Sequence, residues 1–373
     1  MPSPVCYHLN GFPPANIDWA HLVPLIGKAN AALARYDGLI AAMPNAAVLL
    51  SPLTTQEALL SSAIEGTNVT LSEVLEIEAG ADIDVDQPKR DDTEKIMNYR
   101  NALVFAANAL KDRPFSQHLL RETHALLMQG TEGCDKSPGG FRTEQNWIGT
   151  KGFALENAAF VPIPQEHLLA GMECWSTYVQ SEGEPDPLVQ LALMHVEFEA
   201  LHPFKDGNGR LGRMLIPLFL YWRRLLREPS LYMSGYFEAR REEYILALRN
   251  VSRNGAWTEW CAFFLQGLIE QASENQAKAS AILNLHRQML EDVPKLTHSQ
   301  FASLAVEFLF SRPIFSSVYF IKASKIPKPS AQRFLSSFRE AGLIRAIREP
   351  SGRRPAFYAF SKLINIAEGK EIF

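Results

Sequence analysis

Through most of the first 290 positions, apolar residues recur at intervals of three and four with few Pro or Gly between them. That period places them on one face of a helix. It predicts helices over Ala20–Met43, Thr54–Ser62, Asp92–Leu110, Ser116–Gln129, Pro187–Leu201, Asn208–Leu226 and Arg240–Arg253. Thr54-Thr55-Gln56-Glu57 has capping-box spacing, with Glu57 three residues after Thr54. Glu270–Asp292 is rich in good helix formers and predicts a long connecting helix. Pro88–Asp92, charged and proline-containing, reads as a hinge.

One stretch departs from the helical period. Gly139–Pro164 is rich in Gly, Asn and aromatic residues, and Phe141–Ile148 and Ala159–Ile163 have the makings of a hairpin. Pro162 and Pro164 confine the second strand to an edge. The expectation is a two-stranded flap on an otherwise helical body. Beyond Pro294 the pattern changes again. Phe301–Ser311, Val318–Lys325 and Pro329–Ala341 predict three short helices. Gly342–Arg345 begins a strand, Pro350–Arg354 forms a turn, and Ala356–Phe360 is a second strand. Three helices and a hairpin with a basic tip make the layout of a winged helix-turn-helix. The fold class is therefore mainly α. The predicted units are a helical N-terminal region (1–95), a helical core (96–270), a connecting helix (271–295) and the winged-helix region (296–373).

Charge sharpens that division. The chain carries 37 basic and 41 acidic residues, yet from Pro294 onward there are 13 basic and 5 acidic. A basic tail on an acidic body suggests a module with an anionic partner, although a solvated basic face accounts for the same residues. No apolar run reaches the roughly 20 residues needed to span a bilayer. Met1-Pro2-Ser3-Pro4 shows no secretory leader. Cys6, Cys134, Cys174 and Cys261 form no CxxC pair, so no disulfide framework or zinc site is expected and a reducing cytoplasm fits best.

The segment with the clearest chemistry runs from His202 to Arg213, HPFKDGNGRLGR. An apolar helix leads into His202, a tight turn follows, and a second helix begins. Gly207 and Gly209 suit positive φ and close approach of the backbone to a ligand. Successive N–H groups in such a turn, at a helix N-terminus, make an anion-binding nest. Asp206 is placed to hold Mg²⁺, which favours a carboxylate together with substrate phosphates. Arg210 and Arg213 share a helix face and reach phosphate oxygens with planar forks. His202 is suited to take a proton near neutral pH. An ordinary Asp-Gly-Asn-Gly turn with a capping His explains the turn but not the two arginines in register.

This segment resembles the HPFxDGNGRxxR signature of the Fic domain family, without a departure. The resemblance covers roughly Met97–Phe264. It implies a helical fold that binds ATP and transfers AMP to a Tyr, Thr or Ser hydroxyl of a protein, itself included. It also implies His202 as general base and Asp206 as the Mg²⁺ ligand. Gly207, Asn208 and Gly209 would lie on the α- and β-phosphates, Arg210 and Arg213 on the β/γ end, with Leu211 and Gly212 completing the stretch. Upstream, Ser61-Ser62-Ala63-Ile64-Glu65-Gly66 resembles the family's inhibitory motif, (S/T)xxxE(G/N), with Ser61, Glu65 and Gly66 in the matching places. On that likeness Glu65 pairs with Arg213 and holds ATP in an unproductive pose, although Glu before Gly is also a common helix end. The predicted flap is similar to the family hairpin that registers a target segment by strand addition. Arg240–Tyr244 resembles the family's NRxxYY segment beside the adenine, but Ala239 replaces its Asn and Ile245 its second Tyr. Tyr244 is thus read either as a wall of the base pocket or as core.

The tail resembles the winged-helix domains found on many family members. Lys328, Gln332, Arg333 and Arg339, with Arg353 and Arg354, are candidates to meet DNA phosphates; protein contact or homodimer formation is the other reading. Removal of AMP, or a DNA-binding regulator with the core as nucleotide sensor, are the alternatives to transfer.

Overall fold

The most apolar of the predicted helices, α8 (Pro187–Leu201), is buried on nearly every side, as expected of a helix without a polar face. Asp186 caps it, accepting the N–H groups of Leu188 (2.8 Å) and Val189 (3.1 Å), and Pro187 occupies the first turn. The computed structural model describes residues 4–80, 87–130, 136–149, 158–351 and 354–372. It is mainly helical, with two small sheets.

Helix α9 (Asn208–Trp222) packs on α8. Its other sides meet α3 (Ser51–Ile64), α5 (Gln87–Ala109) and α6 (Gln117–Leu127). Helix α7 (Leu168–Gln180) covers α8, and α1 (Trp19–Ala41) lies along α12 (Trp257–Thr297). The connecting helix predicted over Glu270–Asp292 is the later part of α12, 41 residues long, and positions 271 and 296 both lie within it. Pro88–Asp92 forms the first turn of α5 and no hinge. The short α2 (Ala46–Leu49), α4 (Leu71–Glu78) and α10 (Ser234–Ala239) carry no predicted counterpart, while α11 (Arg241–Asn254) matches its prediction closely.

The helix start expected at Thr54 lies three residues earlier, where Pro52 enters the first turn of α3. The Thr54 hydroxyl meets Tyr232 Oη instead (2.7 Å), and Glu57 is buried, accepting from Ser234 N–H and Oγ–H. A true capping box sits at Thr70 and Glu73, at the head of α4.

The flap contracts to one antiparallel bridge, Ile148 to Phe160; residues 150–157 of its loop lie outside the described ones. Strand β2 (Phe160–Val161) pairs along its other edge, in parallel, with β1 (Val5–Cys6). Tyr7 and His8, just beyond β1, grip the buried Glu197 of α8 (2.6 and 2.8 Å). The N-terminal segment therefore holds the base of the flap.

The C-terminal region contains α13 (Ala302–Ser311), α14 (Ser317–Ala323) and α15 (Lys328–Glu340), as predicted. It adds β3 (Ile314–Ser316) and α16 (Ser361–Glu368), too short to stand out in the sequence. With β4 (Arg345–Arg348) and β5 (Phe357–Ala359), β3 makes an antiparallel sheet in the order β3-β5-β4. Lys328, Gln332, Arg333, Arg339 and Arg354 are exposed, with Arg339 paired to Glu349; Arg353 lies outside the described residues. This region shares one apolar core with the rest of the chain. Helix α16 packs on α3 and α4, α13 on α2, and β3 on α4. Glu78 of α4 joins Arg312 (3.2 Å) and Arg100 (2.8 Å) across the same junction. Among the described residues no helix is long and apolar enough to cross a membrane, and Cys6, Cys174 and Cys261 are free thiols; Cys134 lies outside them.

Candidate active site

His202 ends α8 in the left-handed region (φ 48°, ψ 59°), donating its N–H to Phe198 O (3.0 Å). Left-handed geometry is uncommon for a side chain of this size, and the surroundings hold it. Arg142, 3% exposed, donates Nε–H to His202 O (3.0 Å) and its Nη groups to Ile163 O, Leu201 O and Glu144 O. His124 donates from Nε2 to Asp206 O (2.9 Å), accepts Gly139 N–H at Nδ1 (2.9 Å), and stacks on Phe204 at 3.7 Å. Burial lowers the His124 pKa to about 4, consistent with a neutral ring fixed in one tautomer. Asn208 closes the turn, its amide taking Phe204 N–H (2.9 Å) and giving to Phe204 O (2.8 Å). Its side chain is fully engaged there, and its backbone N–H is what it offers a ligand.

Gly207 caps α9 at φ 76°, where a Cβ would lie 2.6 Å from Met128 Sδ. Gly209 differs from expectation: it lies in the first turn of α9 with no positive φ. Its role is space, because a Cβ there would sit 2.2 Å from Glu65 Oε1 and 2.9 Å from Arg213 Nη1. Unpaired N–H groups of that first turn give the helix N-terminus its attraction for anions. Leu211 and Gly212 are buried; Leu211 belongs to the apolar core.

The arginines are placed differently. Arg210, 6% exposed, turns toward Met128 (Nη2 to Sδ 3.3 Å), and its buried Nη1 has no partner among the described residues. Such an orphaned donor suits an anionic ligand. Arg213, 2% exposed, gives Nε–H to Ser61 Oγ (2.9 Å) and Nη2–H to Ser61 O (2.8 Å) and Glu65 Oε1 (2.7 Å). Partial loss of solvent over the cavity would raise the Glu65 carboxyl, half-exposed as it is, but the Arg213 guanidinium holds it below the usual carboxylate range. Gly66, at φ 97°, lets the chain turn away behind Glu65. Arg241 also bonds this helix end, donating to Ile64 O (3.0 Å).

Asp206 accepts Gly207 N–H at Oδ1 (2.6 Å) and pairs with Lys136 through Oδ2 (2.8 Å). Burial would raise its pKa, but these partners lower it below the ordinary value. No cluster of three metal-type ligands exists among the described residues. One ionised carboxylate beside a phosphate nest does fit Mg²⁺, which keeps several waters and takes its other ligands from phosphate. Burial lowers His202 to about 4, with Glu65 opposing. The ring's Nδ1 lies 3.4 Å from Glu199 O, which leaves Nε2 as the acceptor of a neutral imidazole.

His202, Gly209, Arg213 and Glu65 line one cavity of about 200 Å³ with Tyr244, Ile245 and Leu248 of α11. Tyr244 is both wall and core: it is 3% exposed, stacks on Phe237 at 4.3 Å, and donates to His195 Nε2 (2.9 Å). Replacing Gly209 by Val should weaken ATP binding by at least about tenfold, because the added carbons occupy the space between Glu65 and Arg213. Calorimetry showing unchanged affinity would remove Gly209 from the binding surface.

The sequence matches the description "Fic/DOC family N-terminal" over residues 23–108 and "Fic/DOC family" over 114–220. A probable protein adenylyltransferase of Aquifex aeolicus is 26% identical over 213 residues, 55% of this chain and 60% of that protein. Protein adenylyltransferase fic-1 of Caenorhabditis briggsae is 30% identical over 84 residues, 22% of this chain and 15% of its own length. The chain thus spans less than two thirds of these relatives. A crystal structure of a Fic family protein from Desulfovibrio desulfuricans G20 superposes with TM-score 0.60 at 21% identity, covering 93% of this chain and 98% of that one. A Fic domain containing signaling protein from Bacteroides thetaiotaomicron VPI-5482 gives 0.53 at 18%, covering 68% and 97%.

Proposed function

Because the chain belongs to the Fic/DOC family, we propose that it is a protein adenylyltransferase, moving AMP from ATP to a hydroxyl of a protein and restrained by its own Glu65. The observation that carries this reading is the single cavity in which His202, Gly209 and Arg213 meet under Glu65. In the proposed step the target hydroxyl oxygen attacks the α-phosphorus. The bond to the β-phosphate oxygen breaks, pyrophosphate leaves, and the hydroxyl proton passes to His202 Nε2. His202 needs no prior deprotonation, since burial keeps it neutral well below pH 7. The N–H groups at the head of α9 and the free Nη1 of Arg210 offset phosphate charge in a site that is already organised. Mg²⁺ bound at Asp206 would neutralise further phosphate charge. Arg213 is the group that Glu65 withholds.

Incubation with ATP and Mg²⁺ followed by intact-mass spectrometry tests the reaction class. A covalent AMP mass on Glu65→Gly protein, or on protein in a lysate, is the expected outcome. Nucleotide binding with no AMP adduct on any protein would overturn transfer and leave a nucleotide sensor.

A further inference from the structure

One carboxyl in the cavity has no part in that scheme. Glu199 stands on α8 three residues before His202 and lines the cavity, and its buried Oε1 has no hydrogen-bond partner among the described residues. A Cβ on Gly212 would lie 2.3 Å from that oxygen and 3.1 Å from Phe198 Cδ1. The carboxyl therefore rests on the α9 backbone one residue before Arg213, and glycine at 212 is what admits it. Burial pushes Glu199 up to about 7, with Arg213 opposing and Glu65 adding. A buried acceptor left unpaired is unfavourable unless something completes it.

The cavity wall says what that could be. His202, Gly209 and Arg213 mark a phosphate end, while Ile245 and Leu248 give an apolar face suited to a base. Glu199 stands on α8, which packs on both α9 and α11, and it abuts Gly212 of α9, so it faces the cavity between those two ends. In a nucleotide the group between phosphates and base is the ribose. We propose that Glu199 determines specificity by hydrogen-bonding a ribose hydroxyl of the bound nucleotide. This inference rests on the nucleotide reading of the cavity. A hydroxyl both donates and accepts, so it pairs with the carboxyl whether or not that group is protonated. The amino group of a base donates only, and would lose one of its two options as the carboxyl titrates. Neighbouring Val196 and Ala200 show that packing alone at this wall is met by apolar side chains.

The test measures binding of ATP, 2′-deoxy-ATP and 3′-deoxy-ATP to the full chain by calorimetry. Wild type should prefer ATP over one deoxy analogue by about tenfold, the size of one hydrogen bond to such a group. Glu199→Ala should bind ATP about as weakly as that analogue and lose the preference. Glu199→Gln, isosteric with the neutral carboxyl, should keep it, and Glu199→Asp, whose oxygen is drawn back, should lose it. Equal binding of all three nucleotides by wild type would overturn the assignment while leaving nucleotide binding intact. So would an equal loss for all three in Glu199→Ala and Glu199→Asp, the mark of a packing role. Failure of wild type to bind ATP at all would remove the nucleotide reading, and this inference with it.

Discussion

Replacing Glu65 by Gly should raise AMP incorporation about tenfold or more, although most substitutions in an active site lower its rate. The reason lies in the contacts of Arg213. Its fork is held by Ser61 Oγ, Ser61 O and Glu65 Oε1, all from the end of α3. For ATP to use that guanidinium it must displace the carboxylate. Hydrogen bonds to charged groups contribute about 1.5–3 kcal/mol, which corresponds to roughly 10- to 100-fold in rate. Arg213 is 2% exposed but the Glu65 side chain is 46% exposed, so solvent screening places the gain near the lower end of that range. The double variant Glu65→Gly with Arg213→Ala should lose the gain, because the freed arginine produces it. Labelled-AMP incorporation into the protein and into lysate compares the three proteins. An unchanged or lower rate for Glu65→Gly would sink the restraint. Loss of AMP removal from a modified target would assign Glu65 to the reverse reaction instead.

The second large effect is loss of transfer in His202→Ala, by about 10²–10⁴-fold, with ATP affinity retained. Base and nucleotide cradle are separable here. Among the described residues the imidazole hydrogen-bonds Glu199 O alone, whereas the groups proposed to meet phosphate, the N–H groups of the first turn and the arginines, belong to α9. The variant also removes a left-handed side chain at φ 48°, so its melting temperature should accompany the kinetics. Retained transfer in a folded variant would remove His202 from the chemistry. Equal loss of ATP binding and rate would make it a loop support.

What the sequence disclosed and what it hid follow from how far apart the partners stand in the chain. The turn between α8 and α9 was legible because its groups are contiguous, so their spacing survives in the sequence. Ser61, Glu65 and Gly66 likewise stand close together in the chain, and the first two bond Arg213. Arg142 and His124 were not legible: each holds backbone carbonyls of that turn from some 60 to 80 residues away, and a carbonyl leaves no mark on composition. Glu199 looked like one more residue of an apolar helix. Of the flap, the described residues show the antiparallel Ile148–Phe160 bridge; the pairing of the other edge of β2 with β1 had no signal in the sequence, because Val5 and Phe160 lie far apart in the chain. The box at Thr54 was a coincidence of spacing, overridden by Pro52 and by the Tyr232 hydroxyl. The real box, at Thr70 and Glu73, carries the same spacing ahead of a helix of only 8 residues, too short for a clear apolar period.

Helix α16 packs on α3, whose far end carries Ser61 and Glu65. Leu363, Ile364 and Ala367, buried on α16, therefore support the helix that ends at the Glu65–Arg213 pair, although none of them lines the cavity. For a lineage under selection this separates two traits. On the proposed reading, the signature residues would set the reaction, while changes in the C-terminal core that shift α3 would alter how much of it happens at rest.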